Sequence, residues 1–285
     1  DGIPGKDERY DRADEVLEAC NALWESWDED AFVLDKEGGV FIDPSKVRYT
    51  NFEGKWVKTR GPLAMPRSPQ VRPVFMQAGS SDRGRDFAAR WAELIFCTPH
   101  SKADTLAFTT DVKARMAKHG RAPEDCKILP SFMTVIGETE SIAQEKYDYL
   151  QSLIDPEAQQ MLNSSLIGAD LSKHQDVTSF AAAMGNQGIS GSIDRVMQVM
   201  QQERLTFTEA TQKPRGLLVG TPQSVADTLE DYFTSGACDG FIITPTVHPR
   251  MFEEFCRLVV PELQRRGLFR KEYAGATLRE NLRRP

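Results

Sequence analysis

The sequence predicts an α/β fold built on a parallel sheet, and three observations predict it. Short apolar runs recur at residues 73–78, 94–97, 128–136 and 239–244. Each is followed by a stretch whose apolar residues fall at helical spacing. Between the third and fourth units lies a polar, glutamine-rich segment, 154–212, that reads as an insertion. Strand–helix alternation of this kind means parallel strands covered by helices. Four such units make half of a (β/α)8 barrel, which needs eight and typically about 250 residues. Half a barrel leaves two strand edges open, an unfavourable state. The units therefore form either a small open α/β sheet or the C-terminal half of a TIM barrel whose first four units precede Asp1.

The elements follow in order. Residues 11–27 read as an amphipathic helix, with Val16, Leu17, Cys20, Leu23, Trp24 and Trp27 on one face and Asp11 as its cap. The first thirty residues hold 11 acidic and 3 basic side chains, read as a solvated helix face. Residues 33–60 alternate strands and turns, with a hairpin around Asn51-Phe52-Glu53-Gly54. Gly61 to Pro73 is a proline-rich surface loop. After the 73–78 strand, Gly79-Ser80-Ser81 turns the chain into a helix with Phe87, Ala88, Trp91 and Ala92 on one face. The helix at 103–118 points Leu106, Val112 and Met116 inward, and 139–153 is the third helix. Gly185, Gly188 and Gly191 cluster in the insertion. Thr221-Pro222 is a strong helix start, since Thr caps free amides and Pro suits the first helical position. That helix buries Val225, Leu229, Tyr232 and Phe233. The last long helix, 249–266, runs through Phe252, Phe255, Val259 and Leu263 and stops at Gly267.

Composition narrows the function. The chain has 285 residues, 40% hydrophobic and 27% charged, a normal globular mixture. No run approaches the roughly 18–20 apolar residues of a membrane span. A net charge of −7 argues against nucleic acid, which needs clustered cations. The five cysteines are odd in number and lack CxxC spacing, so they read as reduced thiols of a cytoplasmic protein. The four histidines form no HxxxH pair, and no metal site is expected. Residues 1–6 lack the apolar core of a signal peptide.

Chemistry concentrates at Gly79-Ser80-Ser81. Gly79 lets backbone approach a ligand closely. The amides of the following helical turn carry partial positive charge, and with two hydroxyls they make a phosphate site. Arg83 and Arg85 could add charge. Without a GK[ST] element this is no P-loop. The plain alternative is that Ser80 or Ser81 only caps the helix. His174 sits in a polar loop and His248 follows the last strand. Neither is assigned as catalytic, and the sequence names no catalytic residue.

Several blocks together carry a resemblance. They are Arg60-Gly61-Pro62-Leu63, Pro66-Arg67-Ser68-Pro69-Gln70, Arg72-Pro73-Val74 and Gln77-Ala78-Gly79-Ser80-Ser81. Further blocks are 8–15 (ERYDRADE), Val219-Gly220-Thr221-Pro222 with Val225-Ala226-Asp227, and 259–267 (VVPELQRRG) with Tyr273, Gly275 and 277–280. In this order they resemble the nitrilotriacetate monooxygenase type of flavin-dependent monooxygenase, in the bacterial-luciferase-like superfamily. The resemblance implies a (β/α)8 barrel of which residues 1–285 are the C-terminal portion. It implies reduced FMN as cofactor, supplied by a separate NADH-dependent flavin reductase, and oxygenation of a small organic substrate through a C4a-hydroperoxyflavin. It implies a homo-oligomer. Tyr10 matches the family tyrosine that contacts FMN, and Gly79, Ser80 and Ser81 match the phosphate-binding turn. Four residues before that tyrosine many members carry a histidine; here it is Lys6. Phe87, Trp91, Phe252 and Phe255 read as core, not as a flavin cradle. Two other readings compete: a non-catalytic flavin-binding relative, and a deazaflavin-dependent oxidoreductase on the same barrel.

Overall fold

The computed structural model describes residues 4–98, 101–167 and 215–283, together with residues 170, 200, 204 and 210. Helix α1 (Lys6–Trp24) comes first, followed by two small antiparallel hairpins, β1 (Phe32–Asp35) with β2 (Val40–Ile42) and β3 (Phe52–Glu53) with β4 (Lys58–Thr59). The main sheet is parallel throughout. It holds β5 (Met76–Gln77), β6 (Leu94–Cys97), β7 (Lys127–Ile136), β8 (Leu217–Gly220) and β9 (Ile242–Pro245). Helices alternate with these strands: α2 (Asp82–Trp91), α3 (Lys102–Met116), α4 (Glu140–Ser152), α5 (Pro156–Ile167) and α6 (Pro222–Thr234). After β9 come α7 (Arg250–Glu254), a π-helical turn (Phe255–Val259), α8 (Val260–Arg265) and α9 (Leu278–Arg283).

Strand β7 organises the sheet. Backbone N–H groups of a strand alternate between its two edges. Lys127 donates to the Glu93 carbonyl just before β6, and Met133 donates to the Gly216 carbonyl just before β8. Both are odd-numbered, so β6 and β8 occupy the same edge of β7, one after the other. Ile128 faces the opposite edge, where its carbonyl accepts from Asp239 and where β9 pairs with residues 131–134. Gly216 makes the β8 entry possible: it is left-handed at φ +60°, and a side chain there would run into the Ser131 carbonyl.

Four helices that follow strands start on a hydroxyl cap. Ser81, Ser101, Thr139 and Thr221 each accept a hydrogen bond from the third helical amide. The core lies between sheet and helices in two clusters. Ala88, Ala92, Ile95, Val112, Met116 and Ile128 form one; Phe132, Ile136, Val225, Leu229, Phe255 and Val259 form the other.

The structure corrects several expectations. α1 begins at Lys6, so Asp11 is inside the helix and pairs with Arg83 instead of capping. Trp27 lies beyond the helix end and donates its indole N–H to the Leu63 carbonyl. Leu106, Phe233 and Phe252 are exposed, because the buried stripes of their helices run through other positions. Phe87 and Trp91 are only half-buried. Strand β8 was absent from the fourfold count. The final helix is interrupted because Pro261 has no N–H to offer and its ring crowds the Arg257 carbonyl; the chain widens into the π turn there. The insertion opens with α5, while Gly185, Gly188, Gly191 and His174 lie outside the described residues.

Among the described residues no helix is long and apolar enough to cross a membrane.

Candidate functional site at the carboxyl end of β5

Strand β5 ends at Gln77, and the chain passes through Gly79-Ser80-Ser81 into α2. Ligands of such folds bind at this end of the strands. Ser81 is the N-cap, its Oγ accepting from the Gly84 N–H at 3.2 Å. The capping alternative therefore holds for Ser81. It does not consume the site, because the amides of Asp82 and Arg83 precede the first intrahelical bond and have no helical partner. Ser80 contributes its carbonyl to Arg85 Nε at 2.9 Å.

Helix α1 brings Tyr10 to the same place. Its ring lies 5.4 Å from that of Phe87 on α2. Its hydroxyl sits where a side chain on Gly79 or Gly84 would be: a Cβ on either would approach it to 2.7 Å. A side chain at either glycine would therefore push on the tyrosine hydroxyl, and at Gly79 on the Gln77 amide as well. The structure thus gathers Tyr10, Gly79 and Ser81 into one corner, from positions some seventy residues apart in sequence. Lys6 opens α1, with its side chain outside the described residues.

Arg83 and Arg85 do not add free charge. Arg83 pairs with Asp11 at 2.9 Å and Asp14 at 2.6 Å. Burial pulls its pKa down, but the two carboxylates outweigh this and raise it on balance. Arg85 pairs with Asp111 at 2.9 Å. Burial would raise the Asp111 pKa; Arg115 and Arg85 bring it below its ordinary value. An anion here would meet amides and hydroxyls, with both guanidinium groups already committed.

Two residues of the corner, Gln77 and Gly84, lie in the segment the sequence points to but receive no role from it. Gln77 donates from Nε2 to the Gly84 carbonyl at 3.3 Å, bracing the turn, while its Oε1 is buried without a partner. Gly84 is the second glycine under Tyr10. The readable signal was a glycine in the first turn of a helix, where it has no local advantage. His248 is exposed beyond β9.

The corner fits the phosphate end of a flavin nucleotide: a helix start with unpartnered amides, glycines that leave backbone bare, and a tyrosine hydroxyl with no protein hydrogen bond among the described residues. The sequence profile described as "Luciferase-like monooxygenase" matches residues 1–239. The dibenzothiophene-sulfone monooxygenase of Rhodococcus erythropolis is 42% identical over 97% of this chain and 63% of its own length. Nitrilotriacetate monooxygenase component A of Aminobacter aminovorans is 38% identical over 99% of this chain and 64% of its own. The crystal structure of a long-chain alkane monooxygenase superposes with a TM-score of 0.83 at 35% identity, covering 99% of this chain and 62% of that one. The chain spans about three fifths of the length of these relatives.

Proposed function

Because the chain belongs to the luciferase-like monooxygenase family, we propose that it is part of a monooxygenase that uses reduced FMN and dioxygen to oxygenate a small organic substrate. A separate flavin reductase supplies the reduced flavin, as the term "component A" in a relative's name suggests. The observation that carries this reading is the corner itself, with the Tyr10 hydroxyl over Gly79 and Gly84 at the head of α2.

When bound, reduced FMN supplies the electrons that split dioxygen, one oxygen atom going to the substrate and the other to water. The residues of this chain bind and position. The amides of Asp82 and Arg83, with the Ser80 and Ser81 hydroxyls, hold the phosphate dianion. Gly79 keeps the backbone bare so that the phosphate can approach. Tyr10 offers its hydroxyl, and its ring, backed by Phe87, keeps water from that side. Asp82 sits in the first turn, but its carboxylate is engaged by Arg115 at 2.6 Å.

We read residues 1–285 as the C-terminal portion of one barrel domain, with 154–212 inserted in it. The relatives' greater length supports this, as does β5, which among the described residues pairs with β6 alone and leaves Met76 51% exposed. A cytoplasmic homo-oligomer is the proposed state; the free cysteines agree with that compartment.

A second reading, a flavin binder without oxygen chemistry, is favoured by Lys6 where many members have histidine. One experiment separates the two. The protein is mixed with reduced FMN, labelled dioxygen and a panel holding dibenzothiophene sulfone and nitrilotriacetate. The expected result is slow flavin reoxidation with a single labelled oxygen in one product. Prompt, stoichiometric hydrogen peroxide with no labelled product from any panel member would favour the second reading.

A further inference from the structure

The opposite end of the sheet carries a feature that the proposed flavin chemistry does not use. At the amino ends of β5 and β6 lies a groove of about 510 Å³, lined by Arg48, Arg67, Arg72, Arg279 and Arg283, with Glu25 as the one carboxylate among the described lining residues. Five guanidinium groups around one cavity stand out in a chain of net charge −7.

These arginines are not equivalent. Arg279 is spent on structure: it pairs with Glu93 through both carboxylate oxygens and donates to the carbonyls of Gln70, Arg72 and Pro73. Arg48 is held by Asp28 at 2.6 Å and by the Glu25 carbonyl at 2.9 Å. Arg283 reaches Asp125 only at 3.6 Å. Arg72 stacks 5.5 Å from the Phe75 ring and makes one hydrogen bond, at 3.3 Å, to a neutral acceptor, Asn21 Oδ1. Arg67 is half-buried and has no hydrogen bond or ion pair among the described residues. Among the described residues the groove therefore holds Arg67 with no carboxylate partner, Arg72 with no ion pair although its charge acts on Glu93, and Arg283 held loosely. A guanidinium fork matches an oxyanion through two parallel hydrogen bonds, and its charge persists at any physiological pH.

We propose that this groove binds a small multivalent oxyanion, one that presents at least two anionic groups to Arg67 and Arg72 with Arg283 at the rim. The volume is that of a small-molecule pocket. Two such groups satisfy both forks at once, and a monovalent anion satisfies one. Phosphate and carboxylate ligands share this chemistry, so pyrophosphate and citrate serve as separate probes. The site is distinct from the Gly79 corner, which lies at the other end of β5.

Isothermal titration of the protein at low salt tests this. The expected result is saturable binding of pyrophosphate, citrate or both, one per chain, weakening as sodium chloride is added. Arg67→Glu should raise Kd by about tenfold or more and leave Tm unchanged, because Arg67 has no partner to lose among the described residues. Arg67→Gln should weaken binding less. Ser81→Asp, at the far end of β5, should leave citrate binding unaltered. The better probe identifies the ligand class. No saturable binding of either probe at about 1 mM, or binding indifferent to Arg67→Glu, would overturn the proposal. A failure of the flavin reading would leave these outcomes as they stand.

Discussion

Gly84 and Gly79 shape the corner by what they lack. A Cβ on Gly84 would approach the Tyr10 hydroxyl to 2.7 Å and Ser81 Oγ to 3.0 Å. Gly84→Ala is expected to cost about 1–3 kcal/mol, measured by urea unfolding, and to displace Tyr10. Tyr10→Phe removes a hydroxyl with no hydrogen bond among the described residues, so stability should stay within about 0.5 kcal/mol while FMN affinity falls. An equal loss in both quantities would mean that the hydroxyl serves the fold. Away from the corner, the Glu93–Arg279 pair ties α9 to the start of the sheet. Burial alone would raise the Glu93 pKa; the Arg279 guanidinium overcomes it and holds the carboxyl below its ordinary value of 4.5. A depressed folded pKa means that the pair's stabilisation is present above about pH 4.5 and is lost as pH falls through the folded value. Tm against pH should therefore show wild type well above Glu93→Gln at neutral pH, with the two converging under acid. Removing one partner of so enclosed a pair should cost about 3 kcal/mol at neutral pH. At this scale the sequence pointed to the residues of the turn but not to their partners. Arg83 and Arg85 looked like spare cations because Asp14 and Asp111 are remote in sequence, and only the packing of α1 and α3 on α2 brings them in.

Elements with strong local signals were legible. The 94–97 strand agrees with β6 to the residue, and Thr221-Pro222 starts α6 as its capping chemistry requires. The helices at 103–118 and 139–153 differ from α3 and α4 by one or two residues at each end. Other elements were hidden for physical reasons. β8 has four residues and no alternation, and it exists because Gly216 can turn left-handed beneath Ser131 while β7 has a free stretch of edge beyond β6. The 73–78 run is in register with β6 only at Met76–Gln77, with the Phe75 carbonyl accepting from the amides of Glu93 and Leu94 at its start. α1 began five residues early because Asp11, a fair cap by composition, is drawn into the pair with Arg83. The packing of α6 on β7 is the load carried by the second core cluster. Leu229→Ala, at 1% exposure, should cost about 2–5 kcal/mol by leaving a cavity. A loss under 1 kcal/mol in urea unfolding would show that this helix contributes little to the sheet's stability.

At the scale of the whole molecule, strand–helix alternation was readable from periodicity, and the family profile and the alkane monooxygenase superposition place the chain among luciferase-like α/β folds. The two ends of the curled sheet divide the chemistry: hydroxyls, bare glycines and helix amides at the carboxyl end, arginines at the amino end. Periodicity could announce the first because a strand–turn–helix junction is a local pattern. It could not announce the second, because Arg48, Arg67 and Arg283 converge only through tertiary structure. The claim on which the functional reading turns is that the Gly79-Ser80-Ser81 corner grips a phosphate. The most direct measurement compares FMN with riboflavin, which lacks that phosphate, by fluorescence titration of wild type and Ser81→Asp. Aspartate still caps the helix, so Tm should not move. Wild type should prefer FMN by about a hundredfold, on the scale of a charge-assisted phosphate contact, and Ser81→Asp should erase that preference while leaving riboflavin binding in place. Equal affinity of wild type for both flavins, or a preference for FMN that survives the aspartate, would contradict the assignment.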